Sequence, residues 1–298
     1  MLSVLIPTYN YNVNQLAERL SEQLKTCFFA YEILVLDDCS TNQETVIANQ
    51  KITAFPNCLF FQNETNLGRT ATRQALAEKA NYDWLLFMDA DVLPKNNEFI
   101  KNFDIENQSA DVVFGGIAYE NKKPEKEKML RWKYGKAREA KPVSEREKTP
   151  YLSIISGCVL IKKSVFLKVN TVYDNLYGGD VVFCMELEKM RANLKHIDNA
   201  VLHLGLENSA SFIEKTQKGL ESLSYFEQQG VIPGNYRPIQ KAYQSLKKNG
   251  ALKLFTKVVA FFEKGIYKNL TSSSPSLFLF DLYRLYYFTQ LQNNLKIS

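Results

Sequence analysis

Trp84-Leu85-Leu86-Phe87-Met88-Asp89-Ala90-Asp91 is an unbroken apolar run that ends in two acids one residue apart. A short apolar run without alternation reads as a strand buried on both faces, as in a parallel sheet covered by helices. Ligands of open α/β sheets bind in the crevice outside the carboxyl ends of the strands, so the run delivers two carboxylates into that crevice. A cation is expected beside them. Mg²⁺ and Mn²⁺ prefer oxygen ligands, and Mg²⁺ is usually held by one or two carboxylates together with the phosphates of a substrate. An isolated Asp-x-Asp more often marks a strand end with two solvated acids; the company this one keeps points instead to a metal–diphosphate site.

Upstream of the run, strand and helix patterns alternate. Leu2-Ser3-Val4-Leu5-Ile6 is closed by Pro7, and Val13, Leu16, Leu20 and Leu24 have helical spacing over residues 13–26. Glu32 to Leu36 forms a second strand running into Asp37-Asp38, and the polar residues Ser40, Thr41 and Asn42 suit a helix start. Leu59-Phe60-Phe61, a turn at Asn66-Leu67-Gly68 and a helix to about Lys79 lead into the strand before Asp89. The βαβαβαβ order implies a mostly parallel, right-handed wound sheet. It also brings Thr8-Tyr9-Asn10, Asp37-Asp38 and Asp89-Ala90-Asp91 to one rim.

Downstream, residues 120–150 are rich in lysine and glutamate and contain Trp132. They read as a solvated charged face, or as a mobile loop over a second substrate. An apolar block from Tyr151 to Leu160 follows. Then come Tyr177-Gly178-Gly179-Asp180, a helix from Val181 to Arg191, and a last strand ending at His203-Leu204-Gly205.

With 298 residues, 45% of them apolar and 23% charged, the chain has the composition of a globular protein with a sizeable core. Its five cysteines are scattered and never spaced as Cys-x-x-Cys, so reduced cytosolic thiols are expected rather than a disulfide or zinc framework. The first apolar strand begins at Leu2, so no secretory signal is expected, and no apolar run has the length of a membrane span.

The net charge of +5 is concentrated at the end of the chain. Residues 241–298 carry nine Lys/Arg against two acids, a net +7, which leaves −2 for the remainder. In residues 251–268, Leu252, Phe255, Val259, Phe262 and Ile266 fall on one helical face, with Lys253, Lys257, Lys264 and Lys268 nearly opposite. Such a helix suits a membrane interface, and equally a helical subdomain packed on the core or a homodimer contact.

Taken in order, Ile6-Pro7-Thr8-Tyr9-Asn10, Val35-Leu36-Asp37-Asp38-Cys39-Ser40-Thr41, Asn66-Leu67-Gly68 with Arg73, Asp89-Ala90-Asp91, Gly178-Gly179-Asp180 and His203-Leu204-Gly205 resemble the family 2 glycosyltransferases with the GT-A fold. The resemblance spans residues 1 to about 215. It implies a Rossmann-like α/β domain over residues 1–215, with a mostly parallel central sheet flanked by helices, and leaves residues 216–298 as a basic, aromatic helical extension. It further implies inverting, non-processive transfer of a sugar from a nucleotide diphosphate sugar, with UDP as the expected nucleotide. The acceptor would be a saccharide or lipid-linked hydroxyl in cell-envelope polysaccharide synthesis.

Carried over by position, Pro7, Thr8 and Tyr9 would shape and line the nucleobase pocket, and Asp38 would accept the uracil imide hydrogen. Gly68 and Arg73 would lie near the nucleotide, Asp89 would meet the ribose or metal waters, and Ala90 would belong to the donor site. Asp91 and His203 would hold Mn²⁺ or Mg²⁺. Asp180 would be the general base, although an Asp after a Gly-Gly turn also suits a helix N-cap. Many members have Glu-Asp where this chain has Gly179-Asp180. The expected partners are the donor and the acceptor, with no nucleic acid. The expected location is the cytoplasm, with peripheral contact to the inner membrane face through residues 241–298.

Two rivals remain open. A sugar-phosphate nucleotidyltransferase uses a similar sheet, but normally carries a Gly-rich first loop where this chain has Thr8-Tyr9-Asn10-Tyr11-Asn12. A non-catalytic sugar-nucleotide-binding protein would account for the missing Glu. Processive synthases are disfavoured, since the only Arg-Trp pair, Arg131-Trp132, precedes Asp180.

Overall fold

A computed structural model describes residues 1–172 and 177–294. Strands and helices follow in the order β1 (Leu2–Thr8), α1 (Asn14–Leu24), β2 (Tyr31–Asp37), α2 (Gln43–Gln50), β3 (Cys58–Gln62), α3 (Arg69–Lys79), β4 (Trp84–Met88), β5 (Val92–Pro94), β6 (Val112–Phe114) and β7 (Ile117–Ala118). After these come α4 (Met129–Tyr134), α5 (Val143–Arg146), β8 (Cys158–Lys162), α6 (Lys163–Val169), α7 (Asp180–Lys189), β9 (Leu194–His196) and β10 (Val201–His203). The chain ends in α8 (Ser209–Gln228), α9 (Pro238–Lys248), α10 (Leu252–Leu270) and α11 (Leu277–Asn294).

These elements pack into two compact units. The first comprises Met1–Glu120, Arg138–Leu176 and Phe183–Gly205; the second comprises Asn121–Ala137, Tyr177–Val182 and Leu206–Ser298. In the first unit a seven-stranded sheet runs β3-β2-β1-β4-β8-β6-β9. Strands β3, β2, β1 and β4 are mutually parallel, as the alternating pattern implies, and β8 pairs antiparallel to both β4 and β6. Residues 2–6, 33–36 and 85–88 of the three central strands are buried without interruption. Leu5, Leu34, Leu85, Phe87, Val159 and Ile161 form one apolar core with Leu76 of α3, Phe166 of α6 and Leu187 of α7.

The sequence left open which sheet the last strand of the first unit joins. Strand β10 does not join the central sheet but a second one, in the order β5-β10-β7. It runs antiparallel to β5, with His203 opposite Val92. A three-residue strand directly after Asp91 is too short to be recognised from periodicity, so this pairing was not legible in the sequence.

The second unit is helical. Leu130 of α4, Phe212 and Ile213 of α8, Val259, Ile266 and Leu270 of α10, and Phe280, Tyr283 and Tyr286 of α11 share one core. Segment 120–150 is neither a purely solvated face nor an extended loop. Met129, Leu130, Arg131 and Trp132 are buried in α4, and Arg146 at the end of α5 is buried as well. All five cysteines are free thiols. No described helix is long and apolar enough to cross a membrane.

Candidate active site

Parallel strands of a wound sheet end on the same side. Thr8 stands in register with Asp37, and the Asp38 N–H donates to the Thr8 carbonyl at 2.8 Å. Asp37 is wholly buried; its carboxylate accepts from the Ser40 N–H at 2.7 Å and the Ser40 hydroxyl at 2.6 Å, a local turn with a structural purpose. Positive φ at Asn10 and Cys39 concentrates backbone strain beside these strand ends.

Asp38 organises the loop that follows β3. Its Oδ1 accepts from Asn63 Nδ2 at 2.8 Å and from the Leu67 N–H at 2.9 Å, and its Oδ2 accepts from the Gly68 N–H at 2.9 Å. Gly68 has φ +80° and ψ 167°, a conformation essentially confined to glycine, and it caps the start of α3. An ionised carboxylate offers about four acceptor positions, so Oδ2 keeps capacity for one more donor facing the cleft.

Arg69 and Arg73 lie one helical turn apart on the same face of α3. The two Nη2 groups grip Asp89 from either side, Arg69 at 2.6 Å on Oδ2 and Arg73 at 2.7 Å on Oδ1. Arg69 also donates to the Ser156 hydroxyl at 2.9 Å, and Arg73 to the Ser156 carbonyl at 2.5 Å. Arg73 is buried, with its guanidinium 5.5 Å from the Phe87 ring centroid, whereas Arg69 is half-exposed. Two cations at i and i+4 repel unless an acid stands between them, and that spacing was the available sign of a facing carboxylate.

Asp91 is positioned by β10. The Leu204 N–H donates to the Asp91 carbonyl at 2.8 Å, and His203 Nε2 lies 3.5 Å from Asp91 Oδ2. The Tyr119 ring packs on His203 with centroids 5.4 Å apart. A Cβ added to Gly205 would fall 1.9 Å from Asp91 Oδ2, and one added to Gly157 would fall 3.2 Å from Asp89 Oδ2. Each acid therefore lies against a glycine backbone, at positions where a side chain would displace it. Burial, and to a lesser degree the Asp91 charge, push the Tyr11 hydroxyl above its ordinary pKa.

These side chains border a cleft of about 430 Å³. Pro7, Thr8, Tyr9, Asp38, Gly68, Asp89, Ala90 and Asp91 all line it, joined by Asn66, Arg69 and Thr72. Arg73 lies behind Asp89 rather than on the lining, because Asp89 and the Ser156 carbonyl take up its guanidinium. Sequence reasoning missed Arg69, Thr72 and the steric part played by Gly205.

Asp180 belongs to the second unit as the first residue of α7. The turn before it is closed by Val181 N–H to Gly178 carbonyl at 3.2 Å and Val182 N–H to Gly179 carbonyl at 3.0 Å. Gly178, at φ +93°, sits close enough to α8 that an added Cβ would meet Gly219 Cα at 3.5 Å.

Among the described residues, no three His, Cys, Asp or Glu side chains converge as a closed metal cage. The adjacent Asp91 carboxylate and His203 imidazole nonetheless offer one oxygen and one nitrogen donor, an open pair that would suit a divalent ion held jointly with a substrate.

A wound sheet with acids at one rim serves several classes of enzyme, and comparison with known proteins assigns this one to a family. Residues 3–169 match the family described as Glycosyl transferase family 2, over half of the chain, and the protein belongs to that family. One uncharacterised glycosyltransferase of Haemophilus influenzae is 33% identical over 118 residues, which is 38% of this chain and 38% of that relative. The match thus spans well under half of that relative's length. A second from the same organism is 23% identical over 260 residues, 83% of this chain and 97% of the relative. A mannosyltransferase from Pyrobaculum calidifontis, solved in complex with GDP-Man and Mn²⁺, shares the fold with a TM-score of 0.56 at 15% identity, over 95% of this chain and 85% of that one. The fold is GT-A with added C-terminal helices, and the protein is a glycosyltransferase.

Proposed function

We propose that the chain transfers a single hexosyl or hexosaminyl unit from a nucleotide diphosphate sugar, with UDP as the nucleotide, to a hydroxyl of a saccharide or lipid-linked acceptor, with inversion. The observation that carries this reading is the cleft bordered by Thr8, Asp38, Gly68, Arg69, Asp89 and Asp91 beside the carboxyl ends of β1, β2 and β4. Its volume is of the size of small-molecule sites, about 300–1,000 Å³.

In this reading Pro7, Thr8 and Tyr9 flank the base, and Asp38 Oδ2 accepts its imide hydrogen. Arg69, the half-exposed member of the arginine pair, faces the diphosphate. Buried Arg73 fixes Asp89 in place, and Ala90 leaves room for the ribose. Asp91 and His203 would hold Mn²⁺ or Mg²⁺, which when bound supplies positive charge against the leaving diphosphate. Asp180 takes the proton of the acceptor hydroxyl as its oxygen bonds to the anomeric carbon and the bond to the diphosphate oxygen breaks. Orientation of the hydroxyl and stabilisation of the leaving group supply most of the acceleration. The basic C-terminal helices add peripheral association with the cytoplasmic membrane face, where a lipid-linked acceptor in envelope polysaccharide synthesis would be met.

Incubation with Mn²⁺ and a panel of nucleotide sugars tests the reaction class. Release of nucleoside diphosphate is expected; pyrophosphate release would indicate nucleotidyl transfer, and binding without turnover a pseudoenzyme. Asp180→Asn should abolish transfer, a loss of about 10²-fold or more, with donor affinity retained. Turnover at the wild-type rate would remove Asp180 as the base.

A further inference from the structure

Helix α10 carries two apolar faces, and the helical core covers only one of them. Val259, Ile266 and Leu270 turn inward with Phe255. On the outside, Leu254 is 68% exposed, Val258 47%, Phe261 82% and Phe262 56%. Their spacing of four, three and one residues places them in one stripe along the helix. Phe262, which the periodicity assigns to the packed face, belongs to this outer stripe.

A row of cations borders the stripe. Lys253, Lys257, Lys264 and Lys268 are all exposed, and among the described residues none forms an ion pair. The only acid of α10, Glu263, is half-buried and accepts from the Tyr286 hydroxyl at 3.5 Å, on the packed side. The outward half of the helix is thus apolar along its crest and purely cationic along one edge.

We infer that this face of α10 docks flat on an anionic phospholipid surface, with Phe261, Leu254 and Val258 entering the acyl boundary and the lysines reaching headgroup phosphates. The inference rests on the membrane association proposed with the function and names the surface that performs it. Charge decides the occupant. A second copy docked antiparallel through the same face would bring one lysine row against the other, and in either orientation α10 offers no exposed acid to meet the lysines, whereas anionic headgroups complement the row. Long lysine side chains can lay their methylenes along the stripe and keep their ammonium groups at phosphate level. Apolar area and electrostatic attraction then act together, as in helices that lie in the interface plane.

Sedimentation of the full-length chain with vesicles of phosphatidylcholine alone, and of phosphatidylcholine mixed with phosphatidylglycerol, tests the proposal. Binding to the anionic vesicles is expected, at least tenfold weaker on phosphatidylcholine alone and weakened by high salt. The double variant L254S/F261S keeps every lysine and should lose at least tenfold, as should K257E/K264E, which keeps the stripe. Phe28→Ser, at another fully exposed phenylalanine, should bind as wild type. Wild-type binding that both double variants retain would overturn the assignment of this face while leaving membrane association intact. Wild-type chain that fails to sediment with any vesicle would overturn membrane association itself. A variant that changes only a dimer–monomer equilibrium, without any effect on vesicle binding, would hand the face to a second copy and overturn the proposal.

Discussion

Asp91 has a fixed stance because Gly205 lacks a side chain. With Asp91 Oδ2 only 1.9 Å from the place a Cβ would occupy, Gly205→Ala forces the carboxylate to rotate. Asp91 Cγ at 2.8 Å and Cβ at 3.0 Å are crowded as well, so rotation of the carboxylate is accompanied by a local backbone shift. Displacement of a site group by about 1 Å can cost on the order of 100-fold in rate, and kcat for Gly205→Ala is expected to fall by about that much while circular dichroism shows the chain still folded. Wild-type turnover would show that Asp91 needs no fixed position.

His196 is a residue of a different kind, buried at the end of β9 and informative about pH. Arg146 can only donate, so His196 Nδ1 accepts from its Nη1 at 3.2 Å and the Nε2–H donates to the Pro150 carbonyl at 3.1 Å. Burial first, and the Arg146 charge second, lower its pKa below the ordinary histidine value. The unfolded chain therefore binds the proton before the native one does. Stability from this group is complete above about pH 6.5 and is lost as pH falls below it toward the depressed native value. Urea midpoints measured between pH 7.5 and 5 should decline for wild type, with a shallower slope for His196→Gln. Equal slopes would contradict this coupling.

At the scale of elements, the turn between β3 and α3 joins the proposed donor site to the fold. Asp38 accepts from the Leu67 and Gly68 N–H groups, so the start of α3 and the Arg69–Arg73 face are set by a carboxylate on the neighbouring strand. Gly68→Ala places an L side chain at φ +80°, ψ 167° and is expected to cost about 1–3 kcal/mol by urea denaturation. Donor affinity, measured by calorimetric titration, should drop in parallel, because Arg69 moves with the turn. An unchanged urea midpoint would mean that the loop can relax without cost. The segment 120–150 teaches a related lesson. Its lysines and glutamates suggest solvent, yet Arg146 spends its guanidinium on the carbonyls of Phe114 and Ile197 and stacks 5.1 Å from the Phe114 ring centroid, which lets a cation be buried with its donors satisfied.

For the whole molecule, the helical unit is one cooperative body. Leu130 and Phe212 share their core with Val259, Ile266 and Phe280, so a chain ended near residue 240 loses α9, α10 and α11 and bares the apolar faces of α4 and α8. Such a chain should bind a hydrophobic dye and lose near-ultraviolet dichroism; native-like spectra would show that α4 and α8 hold without the last three helices. Point substitutions on the outer face of α10 are for that reason the cleaner probe of its surface.

What was legible from residues alone was whatever depends on local order. The βαβαβαβ alternation dictates parallel strands, parallel strands end on one side, and Thr8, Asp38, Asp89 and Asp91 therefore share a rim before any contact is known. Arg69 escaped because its partner, Asp89, stands on a different element, and Gly205 because a glycine's reason lies in the side chain it faces. The sequence by itself determined the sheet's direction, the acids at its edge and the helical, basic end of the chain. Only tertiary structure decided that β10 pairs beside Asp91 and brings His203 to it, that two arginines clamp Asp89, and that α10 leaves a second apolar stripe uncovered. Periodicity specifies which residues share a face, whereas burial depends on how much of that face the neighbouring elements are wide enough to cover.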